Sequence, residues 1–515
     1  MPNINILLAQ INPCVADIAG NQHKISEIIL NNPQYDMIVF PELAMCGYPP
    51  EDLLLYQEFQ QQIAAANQAI AKINTQSIII FGTVHNNYNA AAIIRANHID
   101  YYYKQILPNY GVFDEKRYFN TSNSYYSFSC KDHRFGIMIC EDIWNKECVS
   151  QLDNIDTLIA INASPYEIGK NTQRAKLLTA LNINTIYVNQ CGGQDGLVFD
   201  GRSMVYNSKQ QLVASAQAFQ EDLLPVTISA KQIYGEIARP LESEAEIYTA
   251  LVLGLSDFFK KNGFSHAVLG LSGGIDSALT LALACDAIGS DKVSVLLMPS
   301  QYTSPISTED AIKQASVLDV RYNIIAIDDI VASFTQALPK APAAITLQNL
   351  QARARGVLLM AHANQQQALL INTSNKSETA VGYGTLYGDM CGGYAPLQDV
   401  YKTTVYALAA YRNSISSIIP ERVLSRPPSA ELAPNQTDQD DLPPYDILDK
   451  LLIDFIEKRH STTQLISSYG PTIVNKILHK IKVNEFKRFQ SPPGPKITAV
   501  AFGKDWRMPI TKKWQ

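Results

Sequence analysis

Ser272, Asp276 and Ser277 stand in the run Ser-Gly-Gly-Ile-Asp-Ser, and their types and spacing suit chemistry on a phosphate. The apolar run 267–271 before them reads as a buried strand, and 278–287, rich in Ala and Leu, reads as a helix. A strand, a glycine turn and a helix start aim backbone N–H groups at an anion. Gly273 and Gly274 let the backbone approach a phosphate with no Cβ in the way. Ser272 and Ser277 add hydroxyl donors. Asp276 would repel a bare phosphate, so a Mg²⁺ ion between the two is expected. With the glycine pair alone, a plain turn would be the better reading. The Lys-Ser/Thr ending of the common nucleotide triphosphate loop is absent.

A second constellation lies earlier in the chain. Glu42 follows Met-Ile-Val-Phe-Pro, Lys104 follows Ile-Asp-Tyr-Tyr-Tyr, and Cys140 follows Phe-Gly-Ile-Met-Ile. Each stands just beyond a strand-like run, where α/β folds carry function. A thiol at a helix start beside a cation ionises readily. A carboxylate can take its proton, and a lysine can stabilise the oxyanion of a tetrahedral intermediate. Taken singly, a helix cap, a solvated strand end and a core thiol are the commoner fates of these three.

The elements that must position these residues follow from the pattern. Strands are expected at 4–10, 37–40, 77–83, 91–95, 99–103, 135–139, 157–161 and 185–188, with helices at 21–30 and 53–73. A change of character between Gln220 and Leu241, with Pro225 and Pro240, places a domain boundary near 240. A helix at 242–260 opens the second domain, acidic early and basic late, as the helix dipole favours. Strands at 267–271, 292–298, 324–327 and 368–372 then alternate with helices, which predicts a doubly wound parallel sheet. The domains are therefore 1–240 and 241–515. A chain of 515 residues, 46% hydrophobic and 17% charged, has ample core for both. Its net charge of −6 gives no basic footprint for nucleic acid. No apolar run is long enough to span a membrane, and a cytoplasmic address is expected. The eight cysteines are scattered with no Cys-x-x-Cys pair, which argues against thiolate zinc.

Several of these runs carry resemblances. Residues 272–277 resemble the pyrophosphate-gripping loop of the ATP pyrophosphatase family, which implies a Rossmann-like second domain that forms an adenylate for a nitrogen nucleophile to attack. Phe40-Pro41-Glu42-Leu43, Lys104-Gln105-Ile106-Leu107-Pro108 and Cys140-Glu141-Asp142-Ile143-Trp144 resemble the nitrilase-like amidase family. That resemblance implies an α-β-β-α sandwich, with Glu42 as general base, Lys104 as oxyanion stabiliser and Cys140 as nucleophile. Glu115 looks like the family's additional glutamate, which orients the lysine. The run 107–119 is similar to the glutaminase domain of glutamine-dependent NAD synthetases. By that likeness Tyr110, Glu115, Ser164 and Lys170 bind glutamine, and Asp195 and 199–201 line the same pocket.

In the second half the likeness to that family implies ATP at Gly270, Leu271, Ser272, Gly273, Gly274, Ile275, Asp276, Ser277 and Thr373. It implies deamido-NAD at Asn349, Glu378, Asp389, Lys402 and Lys487, and Mg²⁺ between Asp276 and Glu378. The proline-rich run 426–445 resembles the family's lid. Cys391 stands where the family has alanine, and Ala433 where a basic residue is usual. The activity implied is hydrolysis of glutamine to ammonia, adenylation of deamido-NAD by ATP, and amidation to NAD. Ammonia is mostly protonated at neutral pH, so a sheltered passage is expected, as is a homo-oligomer. The rival readings are a fusion to another ATP pyrophosphatase acting on a different carboxylate, and an inactive scaffold in the first half.

Overall fold

The computed structural model describes residues 3–434 and 436–513. The chain forms two compact units, Met1–Leu241 and Glu242–Gln515. The first carries β1 (Ile4–Gln10), α1 (Ile18–Asn31), β2 (Met37–Val39), α2 (Gln57–Ala71), β3 (Ile78–His85), β4 (Tyr88–Arg95), β5 (His98–Tyr103), β6 (Tyr126–Cys130), β7 (His133–Ile139), α3 (Lys146–Ser150), β8 (Thr157–Asn162), α4 (Lys170–Ala180), β9 (Asn184–Asn189), β10 (Cys191–Gln194), β11 (Leu197–Asp200), β12 (Met204–Tyr206), β13 (Leu212–Ser215), β14 (Asp222–Ser229) and β15 (Gln232–Gly235). Among the described residues these strands build one sheet in the order β15-β14-β1-β2-β3-β4-β5, a second in the order β13-β12-β9-β8-β7-β6, and a separate pair, β10-β11.

Side-chain alternation decides how the sheets pack. In β1, Ile4, Ile6 and Leu8 face a core shared with Ile137, Ile159 and Ile186 of the other sheet. Leu7 and Ala9 point the other way, into a core with Ile25 of α1 and Ile63 and Ile70 of α2. On the far side, Leu158 and Ala160 of β8 pack with Leu178 of α4. The layers are thus helix, sheet, sheet, helix, the sandwich implied for this half. Strands covered on both faces read as unbroken apolar runs, and β8 and β9 are buried along their whole length. Each fully buried Ile or Leu contributes about 1.5–3 kcal/mol relative to an exposed one.

The second unit carries α5 (Ser243–Asn262), β16 (Ala267–Gly270), α6 (Ile275–Ile288), β17 (Val293–Leu297), α7 (Pro305–Val317), β18 (Arg321–Ile324), α8 (Asp328–Gln336), α9 (Ala344–Gln365), β19 (Leu369–Leu370), α10 (Lys376–Val381) and α11 (Lys402–Ile415). Its strands are parallel and ordered β18-β17-β16-β19. The chain therefore reverses direction across the sheet between β16 and β19, the switch point where doubly wound folds bind ligands. α6 is buried from Ser277 to Cys285, with Asp276 half-buried at its start and Asp286 exposed in its last turn. No helix among the described residues is long and apolar enough to cross a membrane.

Three local expectations change. The helix expected at 53–73 is a 3₁₀ turn, Glu51–Leu55, followed by α2. Tyr56 between them is extended, and Leu55 and Tyr56 are exposed, so no packing carries the helix back past Phe59. The strand expected at 324–327 lies earlier, at Arg321–Ile324, and is an exposed edge. No strand is expected at β6, an edge strand whose Phe128 and Cys130 alternate inward, or at the short strands β10 to β13.

Candidate active sites

Glu42, Lys104 and Cys140 come from the ends of β2, β5 and β7, and all three are buried. The Lys104 ammonium donates to Glu42 Oε1 at 2.7 Å and to Glu115 Oε1 at 2.8 Å. Glu42 Oε1 also accepts from Asn89 Nδ2, and its Oε2 accepts from the Ala163 N–H, each at 2.8 Å. Tyr48 donates its hydroxyl to Glu115 Oε1 at 2.8 Å. Asn89 further accepts the Lys104 N–H on its own carbonyl, so one residue grips both acid and base. Neither Asn89 nor Tyr48 belonged to any sequence motif.

The backbone around Glu42 needs a glycine opposite it. A Cβ on Gly82 of β3 would lie 2.1 Å from Leu43 N and 2.4 Å from Glu42 Cα. Cys140 takes a left-handed φ of 47° at the sharp turn from β7 into the 3₁₀ turn Cys140–Trp144. This conformation costs an ordinary residue roughly 1–2 kcal/mol and marks a place where the fold holds a side chain under constraint.

The electrostatics correct one expectation. Burial first, and the Glu42 charge next, push the Cys140 thiol well above its ordinary range, while Lys104 pulls it down less. The resting group is a thiol. It is not the readily formed thiolate that a helix start and a cation alone would give. Lys104 stays protonated, because the Glu115 and Glu42 charges outweigh the burial that disfavours its ammonium. Burial raises the Glu115 carboxyl to about 7 against the pull of Lys104, with Glu42 adding repulsion. Its Oε2 has no hydrogen-bond partner among the described residues.

A carboxyl raised in the folded state favours a proton there. Its stabilisation is complete below its ordinary 4.5 and is lost as pH rises through about 7. Glu115→Gln removes that titration. The melting temperature of the variant relative to the parent should therefore rise between pH 5 and 8 by several degrees, on the order of 2 kcal/mol. Calorimetry across that range checks it.

The other residues expected around this site lie along its edges. Tyr110 is exposed, and its hydroxyl bonds both Glu141 carboxylate oxygens at 3.0 Å. Ser164 is buried. Its hydroxyl accepts from Arg174 Nε at 3.3 Å and NH2 at 3.1 Å, and Arg174 NH1 donates to both carboxylate oxygens of Asp200. Lys170 lies 3.7 Å from Glu167 and 5.5 Å over the Trp144 ring.

In the second unit, the residues expected to hold nucleotide and acceptor converge. Gly270 to Ser277, Asn349, Thr373, Glu378, Asp389, Lys402 and Lys487 all line one cavity of about 1000 Å³. The loop ahead of α6 braces itself. The Ser272 and Ser277 hydroxyls are 3.0 Å apart, Gly274 N–H donates to Ser272 Oγ, and Ser277 Oγ donates to the Gly274 carbonyl. Gly273 has a φ of 78°, and a Cβ there would meet the Ser307 carbonyl at 2.1 Å. From run 426–445, Arg426 donates to the Gly273 carbonyl at 2.9 Å, and Glu431 accepts from Ser307 Oγ at 2.7 Å. Asn435 in that run lies outside the described residues.

Asp276 and Glu378 meet on one cation of the protein. Lys402 Nζ donates to Asp276 Oδ2 and, at 3.2 Å, to Glu378 Oε1. Asn375, fully buried, donates to Asp276 Oδ1 and accepts the Glu378 N–H, each at 2.9 Å. Burial raises the Glu378 carboxyl to about 8. Lys402 opposes this, while Asp276 and Asp438 add to it. Three acidic side chains, Asp276, Glu378 and Asp438, crowd one lysine, and hard oxygen donors of this kind fit a magnesium ion. Among the described residues no group of three or more His, Cys, Asp or Glu side chains is arranged to hold a metal alone. One or two carboxylates suffice for Mg²⁺ when phosphate supplies the rest.

The remaining residues shape the acceptor end. Thr385 donates its hydroxyl to Asn349 Oδ1 at 2.8 Å and its N–H to Asp389 Oδ1 at 2.6 Å. Lys487 donates to the carbonyls of Gly382 and Gly384, and burial pulls its ammonium down. Burial pushes the Cys391 thiol up to about 11, so it stays protonated at neutral pH.

Known proteins carry the same two-part arrangement. The carbon-nitrogen hydrolase family matches residues 6–235, and the NAD synthase family matches residues 247–491. The chain is 45% identical to the glutamine-dependent NAD(+) synthetase of Acinetobacter baylyi, covering 100% of this chain and 99% of that protein. Identity to the protein of the same name from Aquifex aeolicus is 43%, covering 99% and 100%. Among solved structures, the glutamine-dependent NAD+ synthetase from Acinetobacter baumannii in complex with adenosine diphosphate is 42% identical, with a TM-score of 0.81 over 99% of this chain and 98% of that one. A glutamine-dependent NAD(+) synthetase from Cytophaga hutchinsonii, 21% identical over 99% and 98% of the two chains, shares the fold at a TM-score of 0.87.

Proposed function

The chain belongs to the glutamine-dependent NAD(+) synthetases, and from that membership we propose how its residues divide the work. The enzyme hydrolyses glutamine and uses the ammonia to convert deamido-NAD to NAD, cleaving ATP to AMP and pyrophosphate. It is a carbon–nitrogen ligase. The convergence of the fourteen nucleotide and acceptor residues on one cavity is the observation that best supports our assignment of the second site.

In the first unit, Cys140 Sγ attacks the side-chain amide carbon of glutamine and gives its proton to Glu42. Glu42 Oε2 accepts from Ala163 N–H, and its second lone pair can take that proton. Lys104 has three N–H donors and commits two of them to Glu42 and Glu115. The third is free to stabilise the oxyanion. Glu42 returns the proton to the departing ammonia. It then draws a proton from the water that cleaves the thioester to glutamate, and hands that proton to the departing Cys140 sulfur.

In the second unit, the loop 272–277 orients the ATP phosphates. Thr373 contacts ATP, and Asn349, Asp389 and Lys487 orient deamido-NAD. Lys402 bridges Asp276 and Glu378 and brings a positive charge to the reacting phosphate. Asp276 and Glu378 would hold Mg²⁺, which supplies charge compensation for the departing pyrophosphate. The carboxylate oxygen of the nicotinate ring attacks the α-phosphate, and ammonia then displaces AMP from the adenylate. A cytoplasmic homo-oligomer remains part of this reading. The exposed Ile345, Val357 and Met360 of α9 support an oligomer, and analytical ultracentrifugation reads it directly.

A steady-state assay with ATP and either glutamine or ammonium, comparing deamido-NAD with other carboxylate acceptors, tests the whole reading. We expect synthesis from both nitrogen sources with deamido-NAD alone. Turnover of another carboxylate in its place would sink the assignment of the acceptor. The Gly82→Ala variant makes a narrower check. Its Cβ must displace Glu42, so glutamine-supported synthesis should fall about 100-fold, the usual cost of misplacing a catalytic group by about 1 Å. Ammonium-supported synthesis should hold.

A further inference from the structure

We propose that Asp142 is a positioning residue for amide cleavage, its carboxylate locking the chain around Lys104 to the chain before Cys140. This rests on the reading of Cys140 and Lys104 given above. Asp142 Oδ1 accepts the Gln105 N–H at 2.9 Å and the Ile106 N–H at 2.8 Å. Its Oδ2 accepts the Tyr102 hydroxyl at 2.8 Å and the Ile139 N–H at 3.1 Å. Asp142 is fully buried. Four donors from three stretches of chain therefore end on one carboxylate. Two stretches flank Lys104, and the third immediately precedes Cys140.

The side chain must be a carboxylate. It has four acceptor sites and no donor, which matches four converging donors. An asparagine of the same shape would turn an NH₂ group on either the Gln105 and Ile106 pair or the Tyr102 and Ile139 pair. Two N–H or O–H groups would then face a donor. The geometry also answers a question raised by the Cys140 backbone. Its left-handed φ of 47° persists only where neighbours hold it, and Asp142 grips the residue just before it. Asp142 acts through Lys104 and Cys140 and does not itself touch substrate.

The test is steady-state kinetics on the full-length Asp142→Asn enzyme, with glutamine and separately with ammonium. We expect kcat with glutamine to fall at least about 100-fold, with the glutamine KM changed by less than about threefold. Ammonium-supported synthesis should stay near that of the parent. An unchanged glutamine kcat would overturn the proposal. So would a raised KM at constant kcat, which would mark a substrate contact. Equal loss with both nitrogen sources would overturn it too, because it would mark a purely structural residue. Tyr102→Phe removes one donor and leaves the carboxylate, so it carries the test if Asp142→Asn does not fold. Its glutamine kcat should fall about three- to tenfold at unchanged KM, and an unaltered kcat refutes the proposal. If Cys140→Ala keeps glutamine-supported synthesis, the nucleophile assignment fails first and the role of Asp142 falls with it.

Discussion

Cys140→Ala abolishes glutamine-supported NAD synthesis, by at least about 10⁴-fold, and leaves ammonium-supported synthesis intact. Both halves of this expected result follow from the geometry. Alanine removes the atom that attacks the amide, and nothing beside it can replace that atom. Glu42 is pinned by Lys104, Asn89 and Ala163 in place as a base, and a carboxylate is a poor nucleophile toward an amide. Lys104 remains protonated between two carboxylates and is no nucleophile. The loss therefore falls on glutamine kcat. The fold should tolerate the change well. Alanine matches the buried cysteine closely in size, and removing the thiol leaves Glu42, Lys104 and Glu115 with their mutual bonds. The second unit keeps its own core and its own cavity, so added ammonium still finds the adenylate. Paired assays of NAD formation from each nitrogen source check both halves.

Asp276→Asn gives the complementary pattern. Synthesis should fall about 100- to 1,000-fold with either nitrogen source, the size expected when a buried charge that meets the transition state is removed. Asparagine keeps the shape and the bond from Asn375, but Lys402 loses the stronger of its two acid partners. The charge that offsets a metal ion on the ATP phosphates is lost with it. The Glu378 carboxyl, raised to about 8 by burial and then by Asp276, should drop in the variant because one repelling charge is gone. Glutamine hydrolysis measured without ATP should continue. Ammonium-supported synthesis at the parental rate would remove Asp276 from the adenylation step.

What could be read from the sequence is bound up with period and position. β2 is wholly apolar, β7 ends on an apolar run and β5 ends on three tyrosines, so Glu42, Lys104 and Cys140 stand out as polar or reactive residues just past a strand. Ser272 to Ser277 did so through two glycines that the backbone requires, at least at Gly273. The partners of these residues were not legible. Asn89 reaches Glu42 across 47 positions, Tyr48 reaches Glu115 across 67, and Asn375 reaches Asp276 across 99. Such contacts depend on the register of one strand against another, and no local pattern encodes them.

The state of the Cys140 thiol was misread for the same reason. A cation beside it is visible in the sequence, but its burial and the charge of Glu42 are not. The helix expected at 53–73 failed because an apolar count at Leu53–Leu55 does not say which side chains find a core. Only Leu54 of the three does. Asp142 stands in the Cys140 motif with nothing local to mark its role, because its partners Tyr102, Gln105 and Ile106 lie 36 to 40 positions away in the chain.

The central claim is that nitrogen cut from glutamine by the first unit enters NAD made by the second. Mass spectrometry of the product formed from deamido-NAD, ATP, Mg²⁺ and glutamine labelled with ¹⁵N at the side-chain amide tests it most directly. The expected product is NAD heavier by one mass unit, formed one for one with AMP, pyrophosphate and glutamate, and the Cys140→Ala enzyme should form no NAD under the same conditions. Unlabelled NAD, or ADP and phosphate in place of AMP and pyrophosphate, would contradict the claim.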